Sequence, residues 1–207
     1  MRHVCRMLHA GTVTLLLAAC SSAPMHFYTL QQSGADRAPP PPGAPAFVID
    51  VQPVTVPAQV DQQELVVRES GQRVAILDNE RWAAPLAAEM REALAGHLTA
   101  ALGTRDMHGL EHLPSIPLYR INVEIRQFDS WPGQHASIEA DWNVRGKDER
   151  ALATCSSSVS ETIGAGYDAL VQGHQRALAR IAGDIAVVLR SLASEGAAAC
   201  PKRETQN

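Results

Sequence analysis

Four short stretches carry side chains that could do chemistry. His108-Gly109-Leu110-Glu111-His112 sets two imidazoles four residues apart, the spacing at which one helix face holds zinc. Gly109 and Pro114 argue against a helix there, and no third ligand is evident, so no metal site is assigned. Ser156-Ser157-Ser158 lacks the Gly-x-Ser-x-Gly turn that exposes a nucleophile at a strand end, and three serines in a strand read as a solvated face. Glu124, Glu139 and Asp141 would gather carboxylates across neighbouring strands, as any wet sheet face does. Gly164-Ala165-Gly166 lacks the lysine of a phosphate loop and reads as a strand-to-helix turn. No catalytic residue and no cofactor is expected.

The cysteines carry the more informative chemistry. Arg2 and Arg6 precede the apolar run Val13 to Ala19, and small residues then lead to a cysteine at Leu17-Ala18-Ala19-Cys20. That is the layout of a secretory signal, and its apolar core is shorter than the roughly 20 residues that cross a bilayer. A cysteine at the cleavage position makes the stretch resemble a bacterial lipobox, whose cysteine takes a diacylglycerol and, after cleavage, an N-acyl chain. The plainer reading is an ordinary signal in which Cys20 is an incidental thiol; Ser21-Ser22 after it suits the lipobox. Cys5 leaves with residues 1–19, so Cys155 and Cys200 remain in an oxidising compartment, as a disulfide or as two separate thiols.

Bulk composition narrows the rest. The chain has 207 residues, 45% hydrophobic and 19% charged, which suits one globular domain and excludes global disorder. Aromatic content of 4% disfavours base-stacking or carbohydrate surfaces. Removing residues 1–19 takes two arginines and leaves 16 basic against 22 acidic side chains, a net charge of −6. That balance disfavours nucleic acid as a partner.

The elements follow from periodicity. Residues 20–26 read as a lipidated tether, Phe27 to Leu30 as a first strand and 31–46, with Pro39 to Pro42, as a surface loop. Phe47 to Val51 is a short strand, irregular beyond Pro53, and Leu65 to Arg68 with Arg73 to Leu77 is a hairpin. Leu86, Met90, Leu94, Leu98 and Leu102 recur every four residues, which predicts a helix capped by Asp78 or Asn79 and ended by Gly103. Tyr119 to Arg126 and His135 to Val144 alternate apolar and polar residues around a Trp131-Pro132-Gly133 turn. Leu152 to Thr162 is a further strand, Leu170 to Leu192 a long closing helix, and 195–207 a disordered tail. The order predicts a single α/β (α+β) two-layer domain over 27–194: a mainly antiparallel sheet with two long helices on one face.

Two aromatic positions are candidates for contact with a partner. Arg81-Trp82 sits just before the first helix, where the indole packs the helix start or meets a partner, core packing weighing more. Trp131-Pro132 occupies a hairpin tip that cannot easily bury an indole, which favours a partner or membrane contact.

Residues 60–103, with Glu80-Arg81-Trp82-Ala83-Ala84-Pro85-Leu86 at the turn into the helix, resemble the PqiC family of ABC-type transport auxiliary lipoproteins. Phe27 to Leu30, Tyr119 to Trp142 with Phe128-Asp129 before Pro132-Gly133, and Gly166 to Val171 agree in order. Gln62-Gln63 and the Pro-rich loop depart from the pattern, both in surface connections. The resemblance implies a non-enzymatic lipoprotein on the periplasmic face of the outer membrane. It would work with an inner-membrane transporter and a periplasm-spanning MCE-domain protein that moves lipid. It also implies assembly of copies into a ring, and Ser21 rather than Asp after Cys20 fits outer-membrane sorting. The alternative is a lipoprotein that carries a lipid in a cavity of its own.

Overall fold

The two longest strands organise the chain because their sequences alternate. In β5 (Leu118–Trp131) the side chains of Ile121, Val123, Ile125 and Phe128 are buried, and in β6 (His135–Arg145) those of Ala136, Ile138, Ala140, Trp142 and Val144. Glu124, Glu139 and Asp141 stay on the opposite, wet face. Pro132-Gly133 turns between them, and Gly133 takes φ +72°, a conformation that L side chains rarely adopt. The computed structural model describes residues 23–31, 46–111 and 115–201. The signal segment, Cys20, Ser21-Ser22, the Pro-rich loop over 32–45, His112 and residues 202–207 lie outside the described residues.

The remaining elements are β1 (His26–Tyr28), β2 (Val48–Val51), β3 (Glu64–Arg68), β4 (Val74–Trp82), α1 (Leu86–Leu102), β7 (Ala151–Thr162) and α2 (Tyr167–Glu195). The two-layer α+β class stands, but the strands divide into two sheets instead of one. A four-stranded sheet runs β2-β5-β6-β7 and a three-stranded sheet runs β1-β4-β3. β1–β4 and β2–β5 are parallel, and the other pairs are antiparallel. After β2 the chain passes Pro53 and Pro57, which have no N–H to donate, and its backbone bonds to β5 through Gln52 and Thr55. β3 then meets β5 through side chains, with Arg68 Nη2 2.9 Å from Asp129 Oδ1.

Both helices cover the apolar face of the larger sheet. α2 packs along β6 and β7, and α1 lies against α2 and β2. Leu86, Met90, Leu94 and Leu98 of α1 are wholly buried, as are Leu178, Ile181, Ile185, Val188 and Leu189 of α2. Burying side chains of this size contributes roughly 1.5–3 kcal/mol each. Arg190 of α2 donates to the Ala101 carbonyl at 2.8 Å, placing a cation at the negative end of α1.

Two expected boundaries are corrected. Asp78 and Asn79 do not cap α1; they continue β4, which is held by Trp82 N–H to Gln63 O at 2.7 Å and Ala83 N–H to Tyr28 O at 2.7 Å. The helix starts at Leu86 because Pro85 disfavours helical backbone at the residue before it. Residues 195–201 are not a loose tail. Glu195 still belongs to α2, Ala198 packs on the core, and Cys200 is disulfide-bonded to Cys155 of β7. The bonded residues are 45 apart, and closing a loop of that size constrains the unfolded chain by about 4 kcal/mol in the chain-entropy account.

α2 approaches the sheet most closely at Gly173, where an added Cβ would lie 2.5 Å from Ile163 Cγ2 and 2.9 Å from Ala136 Cβ. Alanine gains up to about 1 kcal/mol of helix propensity over glycine, whereas overpacking costs about 1–3 kcal/mol. Gly173→Ala is therefore expected to lower stability by about 1–2 kcal/mol in urea unfolding, despite the better helix former.

Candidate functional site

β1 begins six residues after Cys20 and is the point at which the expected tether meets the fold. Its three residues pair with Glu80, Arg81 and Trp82 of β4. Immediately after it, Glu89 Oε2 accepts from Thr29 Oγ1 at 2.7 Å and from Leu30 N–H at 2.9 Å. Glu89 is buried in the first turn of α1, where the helix dipole favours a carboxylate and bonds to a charged acceptor are strong. Gln175 of α2 donates to the Thr29 carbonyl at 3.0 Å, and Leu30 is fully buried. β1 is thus fastened to β4, α1 and α2 together.

Glu80 adds a second carboxylate to this fastening. Its Oε2 accepts from Tyr28 Oη at 2.6 Å, and Oε1 lies 2.9 Å from His26 Nδ1. Burial by itself would raise the Glu80 carboxyl, but the hydrogen bonds from Tyr28 and His26 prevail and hold it below its ordinary value. Burial, and then the hydrogen bond to the Glu80 carboxylate, push the Tyr28 phenol well above its ordinary value.

Of the two readings of Trp82, core packing and partner contact, the structure shows core packing. Trp82 is buried, with its ring against Phe128 at 6.2 Å and 75°, and Phe128 in turn stacks on His174 at 3.9 Å. A buried indole offers no surface to a partner. Arg81 is engaged within the sheet, its Nη2 2.8 Å from Glu64 Oε1 and its Nε donating to the Asp78 carbonyl at 3.1 Å. Trp131 and Pro132 stay half-buried at their hairpin tip, with Trp131 stacked on His135 at 5.8 Å. Because Arg68 ends β3 and pairs with Asp129, the β3–β4 turn and the Trp131 tip lie at the same end of the molecule.

The other sequence candidates are dispersed. His108 Nδ1 is 3.1 Å from Asp50 Oδ1 in a surface loop. Glu124 and Asp141 are cross-strand neighbours, with Arg126 bonded to the first and 3.7 Å from the second. Ser157 does not belong to a solvated face as expected. It is buried, accepting from Trp142 Nε1 at 3.1 Å and donating to Asp184 Oδ2 of α2 at 2.6 Å, which satisfies the buried indole. An open groove of about 390 Å³ on the wet face is lined by Asp50, Gln52, Arg120, Asn122, Arg145 and Glu149, with Arg120 bridging Asp50 and Glu149.

Glu89 and His174 escaped sequence reasoning. The available signal was position: Glu89 falls beside Leu86, Met90 and Ala93 on the apolar stripe of α1, and His174 beside Leu170 and Leu178 on that of α2. His174 Nε2 is 2.8 Å from Ser130 Oγ, while its buried Nδ1 has no hydrogen-bond partner in the structure. Burial alone lowers its pKa from 6.5 to about 3.

The architecture defines a two-layer α+β module with a clamped N-terminal edge strand. No helix among the described residues is long and apolar enough to cross a membrane. A family model described as ABC-type transport auxiliary lipoprotein component matches residues 28–186, and the chain belongs to that family. No curated protein matches the sequence. Among solved structures, one of an uncharacterized protein is 18% identical, with a TM-score of 0.62 over 79% of this chain and 97% of the other. Protein XCC0632 from Xanthomonas campestris is 17% identical, with a TM-score of 0.57 over 72% of this chain and 88% of the other. At these identities the likeness establishes the fold.

Trp82→Ala is expected to cost about 3–5 kcal/mol in urea unfolding, as truncation of a core aromatic does. Stability should also depend on pH through His174. Below about pH 6.5 the unfolded chain takes up a proton that the folded chain refuses until about pH 3, so stability falls as pH drops through that window. The slope from this group approaches ~1.4 kcal/mol per pH unit, and His174→Gln should flatten it in unfolding curves recorded between pH 7 and pH 4.

Proposed function

We propose that the chain is a non-catalytic subunit of an ABC-type intermembrane lipid transport system. It is held on the periplasmic face of the outer membrane by a diacylglycerol and an N-acyl chain on Cys20. Its role is to dock the outer end of a periplasm-spanning MCE-domain protein that serves an inner-membrane transporter. The observation that carries this reading is the clamping of β1 by Glu80, and of the two residues after it by Glu89 and Gln175, in a segment that starts only six residues beyond Cys20. A short tether ending in a rigid strand conveys position, and position is what a docking subunit supplies. Family membership supports the transport setting. The half-exposed Trp131-Pro132 tip is the surface we assign to the partner, and a ring of several copies would present that tip repeatedly.

The alternative, a lipoprotein that carries lipid in its own cavity, is weakened by the interior itself. Trp142, Leu94, Leu98, Ile138 and Leu178, all fully buried, fill the space between helices and sheet. The test is affinity purification of the lipidated chain from membranes, with identification of the bound proteins. The expected result is co-recovery of an MCE-domain protein, diminished by Trp131→Ala while the thermal transition of the domain is unchanged. Phospholipid co-purifying with the domain in the absence of such a partner would favour the carrier reading.

A further inference from the structure

Six large apolar side chains among the described residues are open to solvent: Met25 at 48%, Phe27 at 62%, Ile76 at 56%, Leu110 at 65%, Leu152 at 37% and Val187 at 51%. Leu110, Leu152 and Val187 stand singly on a loop, on β7 and on α2, as scattered surface residues normally do. Met25, Phe27 and Ile76 are different, because β1 and β4 bring them to one sheet.

Strand alternation sets the side on which they lie. Tyr28 and Trp82 are paired neighbours that both pack into the core, so Phe27 and Arg81, one residue earlier, face away from it. Leu77 packs on the core while Ile76, one residue earlier, is 56% exposed; its pair partner on β3, Val66, is half-buried and reaches the core. The Arg81–Glu64 ion pair lies on the same outer face. The result is a face on which Met25, Phe27 and Ile76 flank the Arg81–Glu64 pair and the exposed Asp78 and Asn79, the amphipathic character of a surface that sits at a membrane interface.

The tether selects the occupant. Because β1 is parallel to β4, the chain before His26 approaches from the side of β4 that carries Ile76. Cys20 precedes Met25 by five residues, a reach of at most about 18 Å when fully extended. Leu110 is out of that range: its loop is held by Met107 N–H to Ile49 O, and Ile49 pairs with Tyr119. Tyr119 is nine residues along β5 from Phe128, the residue that touches Trp82, or about 30 Å away.

We infer that the outer face of the β1–β4–β3 sheet, centred on Phe27 and Ile76 with Met25 at its edge, seats in the headgroup region of the bilayer that the Cys20 lipid enters. The inference rests on the reading of Cys20 as lipidated. Acyl chains alone set the height of the domain above the membrane and leave it free to swivel. Contact through this face sets its orientation, turning the helix layer away from the lipid.

The experiment uses the full lipidated chain in phosphatidylethanolamine–phosphatidylglycerol vesicles. With Cys20 acylated and Cys155 bonded to Cys200, a single added cysteine takes a nitroxide label at Phe27→Cys, Ile76→Cys, Leu110→Cys or Val187→Cys. Intact mass is read first. A mature chain without the acyl mass would overturn the anchor reading and this one together, before any label is measured. With the lipid present, collision with oxygen relative to a soluble nickel chelate should be at least several-fold higher for labels at 27 and 76 than at 110 and 187. Equal ratios at all four positions would overturn the inference and leave the anchor standing. Labels at 27 and 76 shielded from both probes would overturn it as well, by showing that protein covers the face.

Discussion

The close approach of α2 to β6 at Gly173 is the constraint from which the rest of the arrangement follows. Helix backbone lies almost on the sheet there, with no room for a Cβ between Ile163 and Ala136. That distance lets Leu170 and Ala177 seal the strand surface, and it carries the next residues, His174 and Gln175, to fixed positions. His174 reaches Ser130 and stacks on Phe128, while Gln175 reaches the Thr29 carbonyl. One glycine thereby couples the larger sheet, the closing helix and the N-terminal strand.

The N-terminal strand is short, and three paired residues on a sheet edge would be weak by themselves. Its stability comes from charge-assisted hydrogen bonds to two carboxylates on different elements, Glu80 of β4 and Glu89 of α1. Glu89 is buried, but it occupies the positive end of a helix and accepts two hydrogen bonds, which offsets much of its desolvation. The same economy appears at Ser157, which satisfies the Trp142 indole and is itself satisfied by Asp184. Polar groups in this interior join elements to one another. For a family whose members are transport auxiliaries, rigidity next to the membrane is a sensible end for such bonds to serve.

The C-terminal end of the chain is built differently. The Cys155–Cys200 bond fastens the chain after α2 to the edge strand β7, and Ala198 closes over the core on the way. Residues 195–201, read as part of a loose tail from their alanine-rich, charged composition, are held to the fold through this covalent link. Composition reports how a segment behaves alone, whereas a cross-link changes the entropy that the segment has left to lose.

Periodicity by itself determined the helices, the β5–β6 hairpin and the two-layer α+β class, because burial on one face leaves a 3.6- or 2-residue signature in the chain. The turn at Trp131-Pro132-Gly133 was legible for the same local reason, and the resemblance carried by Glu80 to Leu86 led to the family. The partition into two sheets was not legible, since the parallel pairs β1–β4 and β2–β5 join residues more than fifty positions apart with no local mark of register. Nor was the fate of Ser157, a polar residue that can face either way on a strand, while for Trp82 the sequence weighed core packing over partner contact without deciding between them. Only the tertiary structure decided which side chains point inward, because that depends on what a distant segment places against them. Phe27 and Trp82 are both aromatic and one strand pair apart, yet packing buried one and left the other exposed beside the expected anchor.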